Sequence, residues 1–186
     1  MNILIVGVGG QGTLLASRVL GKYALDNGWD VKLSEVHGMA QRGGSVMTYV
    51  RIGKEGETIR SPIIDEGDAD ILLSFEKLEA LRYLHYLKED GLVLYSTQEI
   101  MPMPVVTGQV PYPPGIAERL RGTGVDALGL AMEAGSTKAA NTVMLGALCR
   151  TLGYDRDSFE QALLSVIPPK TVAMNQKAFA LGYGAV

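Results

Sequence analysis

Two hydrophobic periods take turns along the chain. The segment "NILIV" (2–6) is a continuous apolar run that stops at glycines, the pattern of a strand buried on both faces of a parallel sheet. In "TLLASRVLGKYALDNG" the apolar residues Leu15, Val19 and Tyr23 recur at helical spacing, and Asn27-Gly28 supplies a stop. "WDVKLSE" (29–35) then reads as a second strand, completing a strand–helix–strand unit. "SVMTYVRIG" (45–53) alternates Val46, Thr48, Val50 and Ile52, which predicts a strand with one less buried face.

Further on, "ILLS" (71–74) and "LVLYS" (92–96) repeat the buried-strand pattern. Between them "FEKLEALRYLHYLKEDG" predicts a helix with Leu78, Leu81 and Leu84 inside and Gly91 as its stop. Prolines crowd 101–114, which predicts an extended stretch with an edge strand at "VVTGQV". The remainder reads as helices: "GIAERLRG", "DALGLAMEAG", and "STKAANTVMLGALCRTLG" with Ser136 as N-cap. "SFEQALLSVIP" follows, with Asp157 and Glu160 as a capping box, and a last helix spans about 170–181. Strands alternating with helices and then helices alone predict an α/β three-layer sandwich, α/β/α, with a Rossmann-like N-terminal half, a mixed, mostly parallel sheet and a helical C-terminal part.

Composition narrows this picture. A chain of 186 residues, 47% hydrophobic, has material for one domain spanning 1–186. A net charge of −3 makes nucleic acid a poor partner. One cysteine, Cys149, excludes a disulfide framework, a cysteine-only zinc site and a four-cysteine iron–sulfur cluster on this chain. No signal-type segment and no bilayer-length apolar run appear, so a cytoplasmic protein without membrane contact is expected.

Candidate chemistry concentrates in two glycine-rich stretches. Gly7, Gly9 and Gly12, with Gly10 and Gln11 between them, form a GxGxxG turn between a strand and a helix, where free amides favour an anion. The competing reading is that these glycines serve close packing alone. Glu35 stands at the distance of a ribose hook, but Gln11 puts a polar amide where dinucleotide sites carry small residues. "SEVHGMAQRGGSV" (34–46) gathers Glu35, His37, Gln41, Arg42, Gly43 and Gly44 after a strand end, where open α/β sheets bind ligands. Arg42 there can clamp a carboxylate or phosphate, or be an ordinary surface arginine.

His37 has no partners for a triad, and His85 reads as a surface or half-buried helix residue. Cys149 reads as inert core, and Met39, Met47, Met101 and Met103 as packing or partner surface. Glu35 and His37 with Asp65 or Asp68 lack the helical ligand spacing of a metal site, so no metal is expected. Asn141 and Asn175, inside predicted helices, are each expected to make a specific hydrogen bond.

Four segments, "GVGGQGTLLASRVL", "SEVHGMAQRGGSVMTYVRIG", "GDADILLSFEKLEALR" and "KAANTVMLGALCRTLG", followed by "NQKAFALG", resemble the gamma-type domain of 2-oxoacid:ferredoxin oxidoreductases. "HGMAQRGGSV" is most similar to the indolepyruvate branch. The resemblance runs through 1–182 in family order. It implies a non-cluster subunit supporting oxidative decarboxylation of a 2-oxoacid, indolepyruvate or another arylpyruvate, to an acyl-CoA. Thiamine diphosphate and 4Fe-4S clusters are implied on a larger catalytic subunit that passes electrons to ferredoxin. Coenzyme A is implied as a shared ligand near the glycine turn and the RGG element, and no catalytic residue is implied on this chain.

Three readings stand side by side. The chain is the non-catalytic subunit just described, including its pyruvate or 2-oxoglutarate variants; or a free-standing NAD- or FAD-binding oxidoreductase; or a plain assembly module. Without its partner, the first is expected to expose an apolar surface and to self-associate as a symmetric homodimer.

Overall fold

A computed structural model describes residues 1–186 other than Met39, Gln41 and Glu55. Among these residues six strands form one sheet: β1 (Asn2–Val8), β2 (Asp30–His37), β3 (Ser45–Gly53), β4 (Ala69–Ser74), β5 (Leu87–Ser96) and β6 (Thr123–Val125). Their order across the sheet is β2-β3-β1-β4-β5-β6. β1, β4, β5 and β6 run parallel, while β3 is antiparallel to both β1 and β2. The mixed, mostly parallel α/β sandwich is therefore present, with a difference from a doubly wound sheet. β3 lies between β1 and β2, so the first strand–helix–strand unit does not bring its two strands side by side.

β1 shows why both faces of the sheet are covered. Ile3 and Ile5 face one cluster and Leu4 and Val6 the other, following the two-residue period of a strand, and all four are fully buried. The first face carries the larger core. It packs against α1 (Thr13–Asp26) and, from the C-terminal half, α5 (Ala127–Ala134), α6 (Ala140–Thr151), α7 (Arg156–Val166) and α8 (Val172–Tyr183). The second face is covered more thinly by α2 (Lys77–Arg82), a 3-10 turn (Leu84–Tyr86) and α4 (Ile116–Leu120), with Ile64 from the loop before β4; α3 (Met103–Val106) lies in the proline-rich stretch.

α6 and α8 meet at very short range because each puts a glycine into the contact. A Cβ on Gly182 would lie 1.9 Å from the Val143 carbonyl oxygen, and one on Gly146 would lie 2.2 Å from that of Phe179. Cys149 is fully buried in the same core, and burial pushes its thiol up to about 12.

Several local expectations give way to tertiary structure. The helix expected over 75–91 ends at Arg82, and β5 starts at Leu87 rather than 92, because Leu87 pairs with Ala69 and Lys88 bridges Asp70 at 2.6 Å. Sheet pairing there outweighs the leucine spacing. Leu78, Leu81 and Leu84 are only partly buried, while Glu79 and Ala80 face inward. No edge strand forms at "VVTGQV": the chain makes the short helix α3, with Pro102 just before it and Pro104 in its first turn, where prolines lose no helical hydrogen bond. β6 was not anticipated. α7 is capped by Asp155, which accepts from the Ser158 N–H at 2.9 Å, so Asp157 sits in the first turn instead of forming a capping box with Glu160. Ser136 caps a 3-10 turn (Thr137–Ala139) leading into α6, and α8 starts two residues later than expected. His85 lies exposed in the 3-10 turn, its Nε2 3.6 Å from a Glu66 carboxylate oxygen.

Candidate functional site

The two glycine-rich stretches, 32 residues apart in number from Gly12 to Gly44, meet in space. Gly9 N–H donates to the Gly44 carbonyl at 2.8 Å, and Gly43 N–H donates to the Gly9 carbonyl at 3.3 Å. These bonds continue the β1–β3 ladder beyond Val8–Ser45, which is why antiparallel β3 brings the RGG turn to the glycine turn. Arg42 and Gly43 are exposed at this edge.

Gly12 starts α1 with φ 88, a left-handed conformation that a side chain would strain. It offers no capping side chain, and the first turn of α1 contains no acid. The opening amides of α1 are thus left facing outward, with the positive end of the helix dipole behind them.

Gln11 is used internally. Its Oε1 accepts from Val8 N–H at 2.8 Å, and its Nε2 donates to the Phe75 carbonyl at 2.9 Å and to Gln98 Oε1 at 3.1 Å. The side chain ties the end of β1 to the ends of β4 and β5 and holds the turn in shape. Gly7 is buried beneath it, 2.9 Å separating its Cβ position from Gln11 Oε1.

Two cavities flank the turn and share Gly10. One, about 370 Å³, is lined by Gly9, Gly10, Gly12, Thr13, Glu35 and His37 among others. Glu35 reaches it from β2, its Oε2 accepting from Thr13 and Thr48 hydroxyls at 3.3 Å each. His37 is exposed there, with Nδ1 3.0 Å from the Gly38 carbonyl oxygen. The other cavity, also about 370 Å³, opens at the C-terminal ends of the parallel strands, where α/β sheets place ligands. Its polar lining is Gln11, Gln98, Ser96, Thr137, Lys138 and Asn141.

The structure therefore gathers Gly7, Gly9, Gly10, Gln11, Gly12, Glu35, His37, Arg42, Gly43 and Gly44 at one end of the sheet, where β1 and β2 finish and β3 begins; Gln41 lies outside the described residues. The second cavity adds Gln98, Lys138 and Asn141, which sequence reasoning did not place at the site. The available signal was Asn141, an asparagine inside an apolar helix. Among the described residues no group of three or more His, Cys, Asp or Glu could hold a metal ion. The single cysteine cannot hold an iron–sulfur cluster. Among the described residues no helix is long and apolar enough to cross a membrane.

A second buried cluster borders the RGG turn. Glu79 accepts from the Ser45 hydroxyl and from Arg82 Nε at 3.1 Å, and Ser45 also contacts the Tyr83 hydroxyl at 2.9 Å. Glu76 caps α2 by accepting from Glu79 N–H at 2.8 Å and holds Ile100 N–H at 2.9 Å. Burial pushes the Glu76 carboxyl above its ordinary value despite these bonds. This cluster anchors the start of β3 and the loop after β5, and so the walls of the site.

Comparison with known proteins agrees with this architecture. Indolepyruvate oxidoreductase subunit IorB of Thermococcus kodakarensis is 44% identical, over 99% of this chain and 95% of that protein. Pyruvate synthase subunit PorC of Methanocaldococcus jannaschii is 29% identical over 98% and 95%. The gamma subunit of a keto/oxoacid ferredoxin oxidoreductase from Geobacter sulfurreducens has the same fold, with a TM-score of 0.74 at 28% identity, covering 99% of this chain and 96% of that one. The family model described as pyruvate ferredoxin/flavodoxin oxidoreductase matches residues 2–185. With the fold and the matched length in agreement, the chain belongs to the pyruvate ferredoxin/flavodoxin oxidoreductase family, as a subunit of an oxoacid:ferredoxin oxidoreductase.

Proposed function

We propose that this chain is the gamma-type subunit of an indolepyruvate or related arylpyruvate:ferredoxin oxidoreductase, working beside a larger subunit that carries thiamine diphosphate and the clusters and passes electrons to ferredoxin. The observation that carries the substrate class is the 44% identity to an indolepyruvate oxidoreductase subunit, against 29% to a pyruvate synthase subunit of equal coverage.

On this reading the glycine turn and Arg42 hold phosphate oxygens of coenzyme A beside the catalytic subunit. Coenzyme A, when bound, supplies the thiol that takes up the acyl group. This chain's part is binding and orientation: the uncapped amides of α1 meet anionic oxygens, and Arg42, on the turn paired to Gly9, adds a charge-assisted fork. Gln11 keeps the amides aimed without competing for the ligand, because both ends of its amide are already bonded within the chain.

The test is co-expression with the larger subunit, followed by ranking indolepyruvate, phenylpyruvate, pyruvate and 2-oxoglutarate as substrates. Arylpyruvates are expected to lead, and a preference for pyruvate or 2-oxoglutarate would remove the substrate assignment. In the same complex, Arg42→Ala is expected to raise the apparent coenzyme A requirement by about 1.5–3 kcal/mol, a factor of roughly ten or more, with the thermal midpoint unchanged. An unaltered requirement would take Arg42 out of the site.

A further inference from the structure

We propose that the open edge of the sheet, strand β2, is an interaction surface for a second copy of this chain. The two β2 strands pair antiparallel about a twofold axis at Leu33, so that one sheet runs through both copies.

β2 is the outer strand, with β3 as its one neighbour. The ladder on the far side of β3 settles which backbone groups of β2 are spare. Met1 and Ile52 exchange both bonds, the terminal amine donating to the Ile52 carbonyl at 2.7 Å and Ile52 N–H to the Met1 carbonyl at 2.8 Å; at the other end Gly9 N–H donates to the Gly44 carbonyl at 2.8 Å. The register between these points is unbroken, so the even-numbered residues of β3 bond to β1 and the odd-numbered ones to β2. Across β2, Gly53, Arg51, Tyr49 and Met47 stand opposite Asp30, Lys32, Ser34 and Val36. The N–H and C=O groups of Val31, Leu33 and Glu35 therefore point away from the sheet, and among the described residues nothing on the chain pairs with them.

Natural sheets blunt such an edge with short strands, proline, bulges or charges. The opposite edge, β6, follows that rule with three residues. β2 does not: it has eight residues, no proline and a regular register, and its lysine ammonium is 3.1 Å from the Asp30 carboxylate of the same strand. Leu33 and Val36 are 40% and 47% exposed on it, and exposed Leu14 of α1 lines a groove together with Leu33.

The residues of β2 suit a copy of the same strand. A twofold axis between antiparallel strands stands perpendicular to the sheet, so both copies keep the same face up and odd residues meet odd, even meet even. An axis at Lys32 or Glu35 sets like charges directly opposite, which is destabilising. An axis at Val31 or Val36 leaves only three residues of the strand paired, and one at Ser34 sets Leu33 against the Glu35 carboxylate of the second copy. An axis at Leu33 keeps residues 30–36 paired and puts the two leucines side by side, on the face that α1 covers. Lys32 then stands across from Ser34 and Glu35 across from Val31, with no like charges opposed, and the two Leu33 residues exchange their outward N–H and C=O groups.

The test uses the full chain, alone and co-expressed with the larger subunit. Sedimentation of the wild-type chain is expected to give the mass of two copies. Leu33→Pro deletes an outward N–H and so removes no bond to β3, while Leu33→Lys sets two ammonium groups at the axis; both are expected to sediment as single chains with an unchanged circular dichroism spectrum. Leu33→Cys is expected to give a disulfide-linked pair on mild oxidation, because directly opposite residues that exchange hydrogen bonds lie about 5.5 Å apart, within the roughly 4.4–6.8 Å that a disulfide spans. Ser34→Cys, separated from its counterpart by a diagonal of about 7–8 Å, is expected to stay unlinked. Cys149 is fully buried and stays out of the reaction. A wild-type chain that sediments as a monomer, a dimer that survives both Leu33→Pro and Leu33→Lys, or linkage through Ser34→Cys in place of Leu33→Cys overturns the proposal. Linkage of Leu33→Cys in the isolated chain that is absent from the co-expressed complex overturns it too, and gives this edge to the larger subunit.

Discussion

Gly182→Ala pits two opposing effects against each other, and the structure decides the sign. Alanine is favoured over glycine inside a helix by about 1 kcal/mol, so on propensity alone the substitution in α8 should stabilise. The new methyl, however, would lie 1.9 Å from the Val143 carbonyl oxygen and 2.6 Å from its carbonyl carbon. Both atoms belong to the backbone of α6, so no rotamer change relieves the overlap. The helices must separate by roughly 1 Å, a gap that forfeits a quarter to a half of each dispersion contact along the interface. Overpacking of this kind costs about 1–3 kcal/mol or more, and with backbone on both sides the upper part of that range applies. Net of propensity, a loss of about 2 kcal/mol is expected, or a fall of roughly 4–8 °C in thermal midpoint for a domain of this size. Thermal melts by circular dichroism on the full chain measure it, with Gly184→Ala as control, since a Cβ there meets nothing closer than 3.6 Å. A midpoint for Gly182→Ala equal to or above wild type would refute the argument that this contact sets the α6–α8 distance.

Two further outcomes follow from polar groups, one half-buried and one buried. Burial pushes the Asp70 carboxyl up, but hydrogen bonds from the Lys88 ammonium and the Asn2 N–H outweigh it and leave the group below its ordinary 3.8. A depressed carboxylate contributes stability above its unfolded value that is lost as pH falls through the lower folded one. The gap in urea midpoint between wild type and Asp70→Asn should therefore be full near neutrality and close below pH 3.8; a gap independent of pH would contradict it. The Tyr112 hydroxyl is buried with no partner among the described residues, and burial together with the charges of Glu76 and Glu99 pushes it up to about 12. Removing an unpaired hydroxyl while keeping the ring should leave stability unchanged or raise it, so Tyr112→Phe is expected to match or exceed the wild-type midpoint. A loss above about 1 kcal/mol would mean that the hydroxyl is in fact satisfied.

The elements legible in the sequence were those whose own pattern matches their burial. β1, buried on both faces, shows as an unbroken apolar run, and β3 shows as an alternation from Ser45 to Gly53. Where a neighbour decides, the pattern misleads. The 87–91 stretch looks helical until its pairing with Ala69 is known, and the three residues of β6 carry too few positions to show a period. The same division runs through the site. Glycines that begin a helix are visible as spacing, so the glycine turn and the RGG element could be picked out separately. Their direct pairing depends on β3 running antiparallel beside β1, which no local pattern records. Lys138 and Gln98 were invisible for the same reason: they come to the cavity from elements distant in the chain, and neither is unusual where it stands.

Cys149 has a practical consequence for studying the assembled enzyme. Its sulfur is fully buried and within 3.7 Å of the Tyr154 carbonyl oxygen, and its thiol is pushed up to about 12, so almost no thiolate exists near neutral pH. The folded chain therefore presents a silent background to maleimides and other thiol reagents. A cysteine introduced at exposed Met103 would be the one reactive handle on this chain, ready to carry a fluorophore or spin label before the partner subunit is added, with the native residue left in place.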